Sequence, residues 1–367
     1  MLKRVKFINK DKTDFFPTLS VRVNQYFKDN NISRYANAEM VLKTIGILAI
    51  FFVPYGLLVS GYLSLPLMFL MACIMGVGKA GIGLSIMHDA NHGGYSSNPI
   101  INKFVEFSMY IVGGNRYTWK LQHNVLHHTY TNIYGMDEDI DPPKGLMRFS
   151  PEAKHYLHQK YQHIYSVFFY GLMTFFWASG KDFLQLYRYK KKGLVKGPKY
   201  KMAKEIGILI VSKIFYYIYL LYIPMMLLDI TFGQWFIGFF CMHFIAGVIL
   251  ALIFQMAHAI TETKFPVPDD LSNIDNEWAI HQMYTTANFA RSNKLLSWYV
   301  GGLNYQVEHH LFPKICHIHY SKLATIVKNT AEEFGLPYHD HPTFVSALKS
   351  HFKLMEDLGN PKTVLAA

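Results

Sequence analysis

His88-Asp89-Ala90-Asn91-His92 closes a long apolar stretch and opens a polar one. Its two imidazoles, four residues apart, fall on one face of a helix, one turn apart. From there two side chains can reach a single metal ion. The pattern is loose on its own. It gains weight from two echoes further along, Gln122-His123-Asn124-Val125-Leu126-His127-His128 and Gln306-Val307-Glu308-His309-His310. The rest of the chain reads as a means of bringing these three stretches together at one edge of a membrane.

Composition points to that membrane. Of 367 residues, 51% are hydrophobic and 17% charged, against roughly 25% charged in an average soluble domain. The net charge is +11, but the basic residues flank apolar runs. They suit anionic lipid headgroups or an acidic partner better than nucleic acid. Cys73, Cys241 and Cys316 give no disulfide framework and suit a reducing compartment. No secretory signal is expected, because MLKRVKFINKDKTDFF lacks an apolar core.

Four apolar runs match a hydrocarbon core of ~30 Å: about 41–60, 63–85, 205–229 and 233–257. The turns near 61 and 231 carry no lysine or arginine. The arm 1–40, the insertion 86–204 and the region 261–367 carry nearly all of them, so these three regions share the cytosolic side. The expected architecture is an all-α integral membrane protein. Four transmembrane helices form two hairpins (membrane domain 41–260), and 261–367 form a cytosolic helical cap. All three histidine stretches then lie on one side. In the arm, a helix from Pro17 with Val21, Val23, Tyr26 and Phe27 partly on one face is expected near the headgroups, or else as a loosely packed tail. The apolar segments 104–113 and 164–178 are short for spans and read as re-entrant or interfacial helices. Lys79 breaks the second run. It is expected to snorkel to the interface, the alternative being an internal pocket, with Gly76, Gly78, Gly81 and Gly83 allowing close packing.

Neutral imidazole suits zinc, copper, iron and nickel. Seven histidines in three clusters exceed one structural zinc site and imply two metals. Asp89 is placed to accept the free N–H of a ligand imidazole and fix its tautomer. The paired Glu-x-x-His motifs of soluble di-iron bundles have one weak instance, Glu152 to His155.

HDANH, HNVLHH and QVEHH on four apolar runs resemble the integral-membrane fatty acid desaturases. Gln306 is typical of the front-end (Δ5/Δ6, linoleoyl-CoA desaturase-like) branch. The stretches Trp119 to Asn132 and Gly301 to Pro313 share the resemblance, which runs from about residue 5 to 340. It implies a fatty acid desaturase domain with two non-haem iron ions, using O2 and two electrons to desaturate a fatty acyl chain carried by CoA or a lipid. The implied ligands are His88, His92, His123, His127, His128, His309 and His310, with His258 as an eighth outside the boxes. Asp89 and Gln306 would support them. The second box has three residues between His123 and His127 where many relatives have two, and Gln306 replaces a histidine. An external donor, ferredoxin or cytochrome b5, is expected. No His-Pro-Gly-Gly signature is present, and the lysines of 181–204 could hold an acidic donor or anionic lipid. The expected location is a bacterial inner membrane or the ER membrane, with the site facing the cytosol.

Other readings compete. The same scaffold could carry lipid hydroxylation. A membrane haem protein would need histidines on facing spans, and only His243 is clearly intramembrane. A transporter would show mid-span charges and internal repeats. His281 is a weak ligand candidate. His317 and His319 are expected to support the cap, Cys316 to be a packed thiol, and His155, His158 and His163 to line an exposed face. The acidic run Asp137 to Asp141 reads as a solvated loop, with contact to a ligand histidine as the alternative.

Overall fold

The computed structural model describes residues 5–140, 142–143, 145–195 and 197–360. It is mostly helical. Strand among the described residues is confined to two parallel pairs, Lys6–Phe7 with Asn273–Ile274 and Asn288–Phe289 with Asp340–His341.

The chain opens with α1 (Phe15–Asp29). Its buried residues, Phe15, Leu19, Val23 and Phe27, recur every four positions, so they form one stripe. That stripe packs on Leu323, Val327 and Ala331 of a C-terminal helix. The helix therefore starts before Pro17, and Val21, expected on its packed face, is 67% exposed. Burial in the C-terminal core excludes the loose-tail reading of this segment.

Four helices are long and apolar enough to cross a membrane: α2 (Ala38–Val59), α3 (Leu65–His92), then, after shorter helices, Lys201–Leu227 and Phe232–His258. The second carries its apolar run through the first histidine stretch to His92, where Gly93 in a left-handed conformation ends it. Between α3 and the third long helix come α4 (Pro99–Glu106), α5 (Ser108–Ile111), α6 (residues 116–130), α7 (Gln162–Ala178) and α8 (Lys181–Lys191). The remaining long pair is α9 (Lys201–Leu227) and α10 (Phe232–His258). Then come α11 (Trp278–Thr285), α12 (Lys294–Tyr299), α13 (Gln306–Leu311), α14 (Tyr320–Glu333) and α15 (Phe344–Gly359).

Glycine sets the helix spacing at the centre. A side chain at Gly78 would meet the backbone of Phe51 in α2 at 2.7 Å, and one at Gly76 the Met242 carbonyl in α10 at 2.7 Å. Thus α3 lies pressed between α2 and α10. The apolar α7 runs antiparallel along the middle of α10, with Gly171 against Phe244 and Thr174 against His243. At this close approach a side chain at Gly247 would meet the Gly171 carbonyl at 2.5 Å. An apolar cavity lined by Tyr55, Met75, Leu220, Trp235, Phe239 and Met242 lies toward the other end of α3, thirteen residues before His88, or about 20 Å away.

Candidate metal centre

Each histidine stretch sits on a helix, and two of these helices depart from α geometry nearby. Residues Ile82–Met87 and Lys120–His127 form π turns, in which hydrogen bonds step five residues. In an α-helix His128 would stand about 140° round from His123. The π turn brings residues five apart nearly one above the other. The ring centroids of His123 and His128 are accordingly 4.9 Å apart, and those of His123 and His127 5.1 Å. All three histidines of the second stretch face one way.

The three stretches converge. His88, His92, His123 and His309 offer ligand nitrogens all within 4.8 Å of one another, and so do His127, His258 and His310. His128 stands between the two groups, grouped with His309 and His310. Its Nε2 is 3.0 Å from Nε2 of His309, and its ring stacks on His310 with centroids 4.3 Å apart. All eight rings are buried. His258 enters from the end of α10, outside the three stretches.

The far side of most rings is held by a hydrogen-bond acceptor or a hydroxyl. Nδ1 of His123 is 2.7 Å from Asp139 and Nδ1 of His127 is 2.9 Å from Asp137. Nδ1 of His310 is 2.8 Å from Gln282 Oε1, Nδ1 of His258 is 3.2 Å from the Thr285 carbonyl, and Nδ1 of His309 is 3.2 Å from the Tyr320 hydroxyl. The amide of Gln282 is oriented by its own donation to the His128 carbonyl and by acceptance from Thr131. Protons on Nδ1 leave the Nε2 lone pairs facing inward, which is the tautomer a metal requires. His127 and His310 show the consequence. Both have Nδ1 at an acceptor, and their Nε2 atoms face each other at 3.2 Å. Nε2 of His258, beside them, is buried without a partner among the described residues, as is Nε2 of His92 in the other group. Lone pairs so arranged repel unless a cation stands among them.

The local electrostatics agree. Burial pushes His128, His309 and His310 well below the usual imidazole range, and repulsion among neighbouring rings adds to it. Burial also lowers His123, against the opposing pull of Asp139. For His127 burial acts downward, but Asp137 outweighs it and the result is raised. Burial would raise Asp139, yet the hydrogen bond and charge of His123 hold its carboxyl below the usual range. Glu308, beside His309, is pushed up to about 7 by burial despite hydrogen bonds from Tyr338 and Asn288, each 2.8 Å.

Several residues differ from the sequence expectation. Asp89 does not reach a ring of the eight. It accepts from the backbone N–H of His317 at 3.1 Å and lies 2.8 Å from its Nδ1, while Lys43 is 2.6 Å from Nε2 of that ring. The group Asp89, Cys316 and His317 has ligand-type spacing, but both nitrogens of His317 are already committed to charged partners. Asp137 and Asp139 do not sit in a solvated loop: they are the carboxylates behind His127 and His123. Their burial could have been suspected from Met136 and Ile140, apolar residues interleaved with the acids. Asp141 lies outside the described residues. Gln306 is buried, and its Oε1 has no hydrogen-bond partner among the described residues. His281 is 2.9 Å from the Thr131 carbonyl, away from the eight. His243 is bonded through both nitrogens, to Tyr216 at 2.7 Å and Thr174 at 3.0 Å, and so is not available to a haem. Lys79 is 2% exposed and does not snorkel. His155 and His158 bond to the carbonyls of Gly359 and Gly145. Gln282 and Tyr320 carried no signal in the sequence, because only the tertiary fold brings them to the rings.

Comparison with known proteins gives a consistent result. The family model described as Fatty acid desaturase matches residues 21–342. The sn-1 linoleoyl-lipid 6-desaturase of Synechocystis sp. is 36% identical over 360 residues, covering 97% of this chain and 98% of its own. The protein of the same name from Arthrospira platensis is 38% identical over 355 residues, covering 95% and 94%. The acyl-lipid (8-3)-desaturase of Mortierella alpina is 31% identical over 361 residues, covering 95% of this chain and 78% of its own.

Proposed function

The chain belongs to the fatty acid desaturase family, and from that premise we propose how this oxidoreductase is built and what it acts on. Two non-haem iron ions are held by eight imidazoles. One is held by His88, His92, His123 and His309, the other by His127, His258 and His310 with His128 completing the set. The observation that carries this is the convergence of His127, His310 and His258 described above. The donor set is all imidazole, buried and deprotonated on its inner face, which fits iron without excluding other borderline metals.

When bound, the iron supplies the oxidant: with O2, two electrons and two protons, two hydrogens leave adjacent methylenes, a carbon–carbon double bond forms, and two waters are released. The residues of the chain do the rest. Asp137, Asp139, Gln282 and Thr285 keep the imidazoles in one tautomer and orientation. Trp119 lies against His88, His92 and His123 with ring centroids 5.8, 5.6 and 4.5 Å away. It gives the acyl chain an apolar wall and excludes water. The two cyanobacterial relatives, named as acting on a linoleoyl lipid at position 6, support front-end desaturation of a glycerolipid-linked chain over an acyl-CoA.

The four long helices cross the membrane as two hairpins, with all eight histidines at the cytosolic side under a cap made by the C-terminal region and α1. Lysine and arginine placement supports this orientation. The electron donor is external and acidic, a ferredoxin or cytochrome b5. It docks near α8, where Lys190 and Lys191 are exposed. From that helix Lys181 and Gln185 hydrogen-bond Gln122, and Gln122 bonds Asp139 behind His123. This is a short bonded route from the basic helix to a ligand.

The test is expression in a host fed linoleate, with double bonds located by mass spectrometry and iron measured on purified protein. A new double bond on the carboxyl side of the existing ones, with about two iron per chain, is expected. An active protein without iron would overturn the metal assignment.

A further inference from the structure

Three consecutive carbonyls at the end of α5 are each capped by a side chain from a membrane-type helix. The turn itself is a Schellman motif: Gly114 N–H donates to the Met109 carbonyl at 3.0 Å and Gly113 N–H to Tyr110 at 3.1 Å, with Gly113 at φ +82°. A side chain at Gly113 would also strike the Tyr216 ring at 2.9 Å. The motif leaves the carbonyls of Ile111, Val112 and Gly113 without helix partners, inside an apolar cluster that contains Ile82, Met109, Tyr216 and Tyr219. Tyr219 of α9 donates to Ile111, Lys79 of α3 to Val112 at 2.7 Å, and Lys213 of α9 to Gly113 at 2.7 Å.

Both lysines are buried, 2% and 7% exposed. Lys213 is 2.7 Å from Asp182. Among the described residues no acid lies within bonding distance of Lys79, which is completed by the Tyr216 hydroxyl at 2.9 Å. Burying two amines at this depth is costly unless they do something an apolar side chain could not. Irregular backbone at membrane depth needs donors from the protein, and the lysines supply them. What they hold leads to the metal centre. Asp182 also accepts from the Thr118 hydroxyl at 3.0 Å. Asn115 caps the next helix by accepting from Tyr117 and Thr118. The residue after Thr118 is Trp119, the wall beside His88, His92 and His123.

We propose that Lys79 and Lys213 are positioning residues of the reaction. Their clasp on residues 111–113 sets the height of Trp119 against α3. It thereby sets which methylene of the acyl chain meets the metals. The inference rests on the desaturase reading above. A helix lying at the wrong height moves the wall relative to the metals, so that O2 is consumed without desaturation and the double bond spreads to neighbouring positions.

The experiment uses the full chain in membranes, with Lys79→Met, Lys79→Arg, Lys213→Met and the milder Tyr219→Phe. Iron per chain, O2 consumed per double bond formed and double-bond position are measured in each. The expected result for the methionine variants is unchanged iron, with product per O2 falling about tenfold or more and new positional isomers. Lys79→Arg restores much of the coupling, and Tyr219→Phe lies between. Two results would overturn the proposal. One is wild-type position and coupling in Lys79→Met. The other is a parallel loss of protein and activity in which Tyr219→Phe and any surviving methionine variant keep wild-type position and coupling, which would make the clasp a support of the fold alone. Wild-type protein that forms no double bond would instead overturn the desaturase reading itself.

Discussion

Asp139 lies 2.7 Å from Nδ1 of His123, on the side of the ring turned away from Nε2 of His88, 3.3 Å from the other nitrogen. The carboxylate thus holds the proton on the outer nitrogen and points the lone pair inward. Replacing it with asparagine keeps the shape but not the charge. Asp139→Asn should weaken iron retention about 10- to 100-fold, as loss of a partner behind a ligand does elsewhere. Asp137→Asn, behind His127, should do the same. Iron per chain after graded dialysis against a chelator measures both, and unchanged retention would remove these carboxylates from the metal's support.

His258 and His281 are both buried histidines close to the site, and they separate ligand from scaffold. His258→Ala removes an unpartnered Nε2 that faces His127 and His310, with ring centroids 4.7 Å from each. It should lose at least one iron and all product. His281→Ala removes a bond to the Thr131 carbonyl and a ring contact with Phe7, and should keep its iron, with a stability loss of about 2–4 kcal/mol. Metal analysis of the two proteins, purified in parallel, decides the matter.

Gly247 has no room for a side chain. A methyl group there would lie 2.5 Å from the carbonyls of Tyr170 and Gly171. Gly247→Ala should force α7 and α10 apart and cost about 1–3 kcal/mol. The change should show as a lower midpoint in thermal unfolding in detergent.

His351 makes the C-terminal helix sensitive to acid. Its ring is held at about 4 by burial, against about 6.5 in an unfolded chain. Nδ1 lies 2.7 Å from the Ala259 carbonyl and Nε2 2.9 Å from the Tyr170 hydroxyl. As pH falls, the unfolded state takes up the proton first. The contribution is whole above pH 6.5, declines between 6.5 and 4, and is gone below. Its full size is about 3 kcal/mol at most. Hydrogen exchange in α15 should quicken over that window, and His351→Gln should flatten the dependence.

Seven of the eight clustered histidines were legible as local signals, pairs four apart or adjacent within a short stretch, and His258 came from the family resemblance, at the end of an apolar run. The four long apolar helices were legible for the same reason, although α3 extends further than its hydropathy suggested. What lay behind the rings was not. Asp137 and Asp139 belong to a segment that looks like solvated loop until Ile133, Met136 and Ile140 pack it inward. Asp89 was claimed by His317, 228 residues away in sequence. Lys79 found its partner in a backbone carbonyl, which no composition announces. The buried stripe of α1 was misassigned because its partners lie some 300 residues downstream.

The π turn over Lys120–His127 settles a discrepancy of length. Members of this family with two residues between the first two histidines of the box place them three and four positions on, within about 60° of the first in an ordinary α-helix. This chain has one residue more, and the wider turn absorbs it. The insertion and the bulge cancel. A deletion of Val125 should therefore be nearly silent at the metals, with the helix relaxing to α geometry and His127 and His128 still facing His123. Two sequences that cannot be aligned without a gap would then present the same three nitrogens.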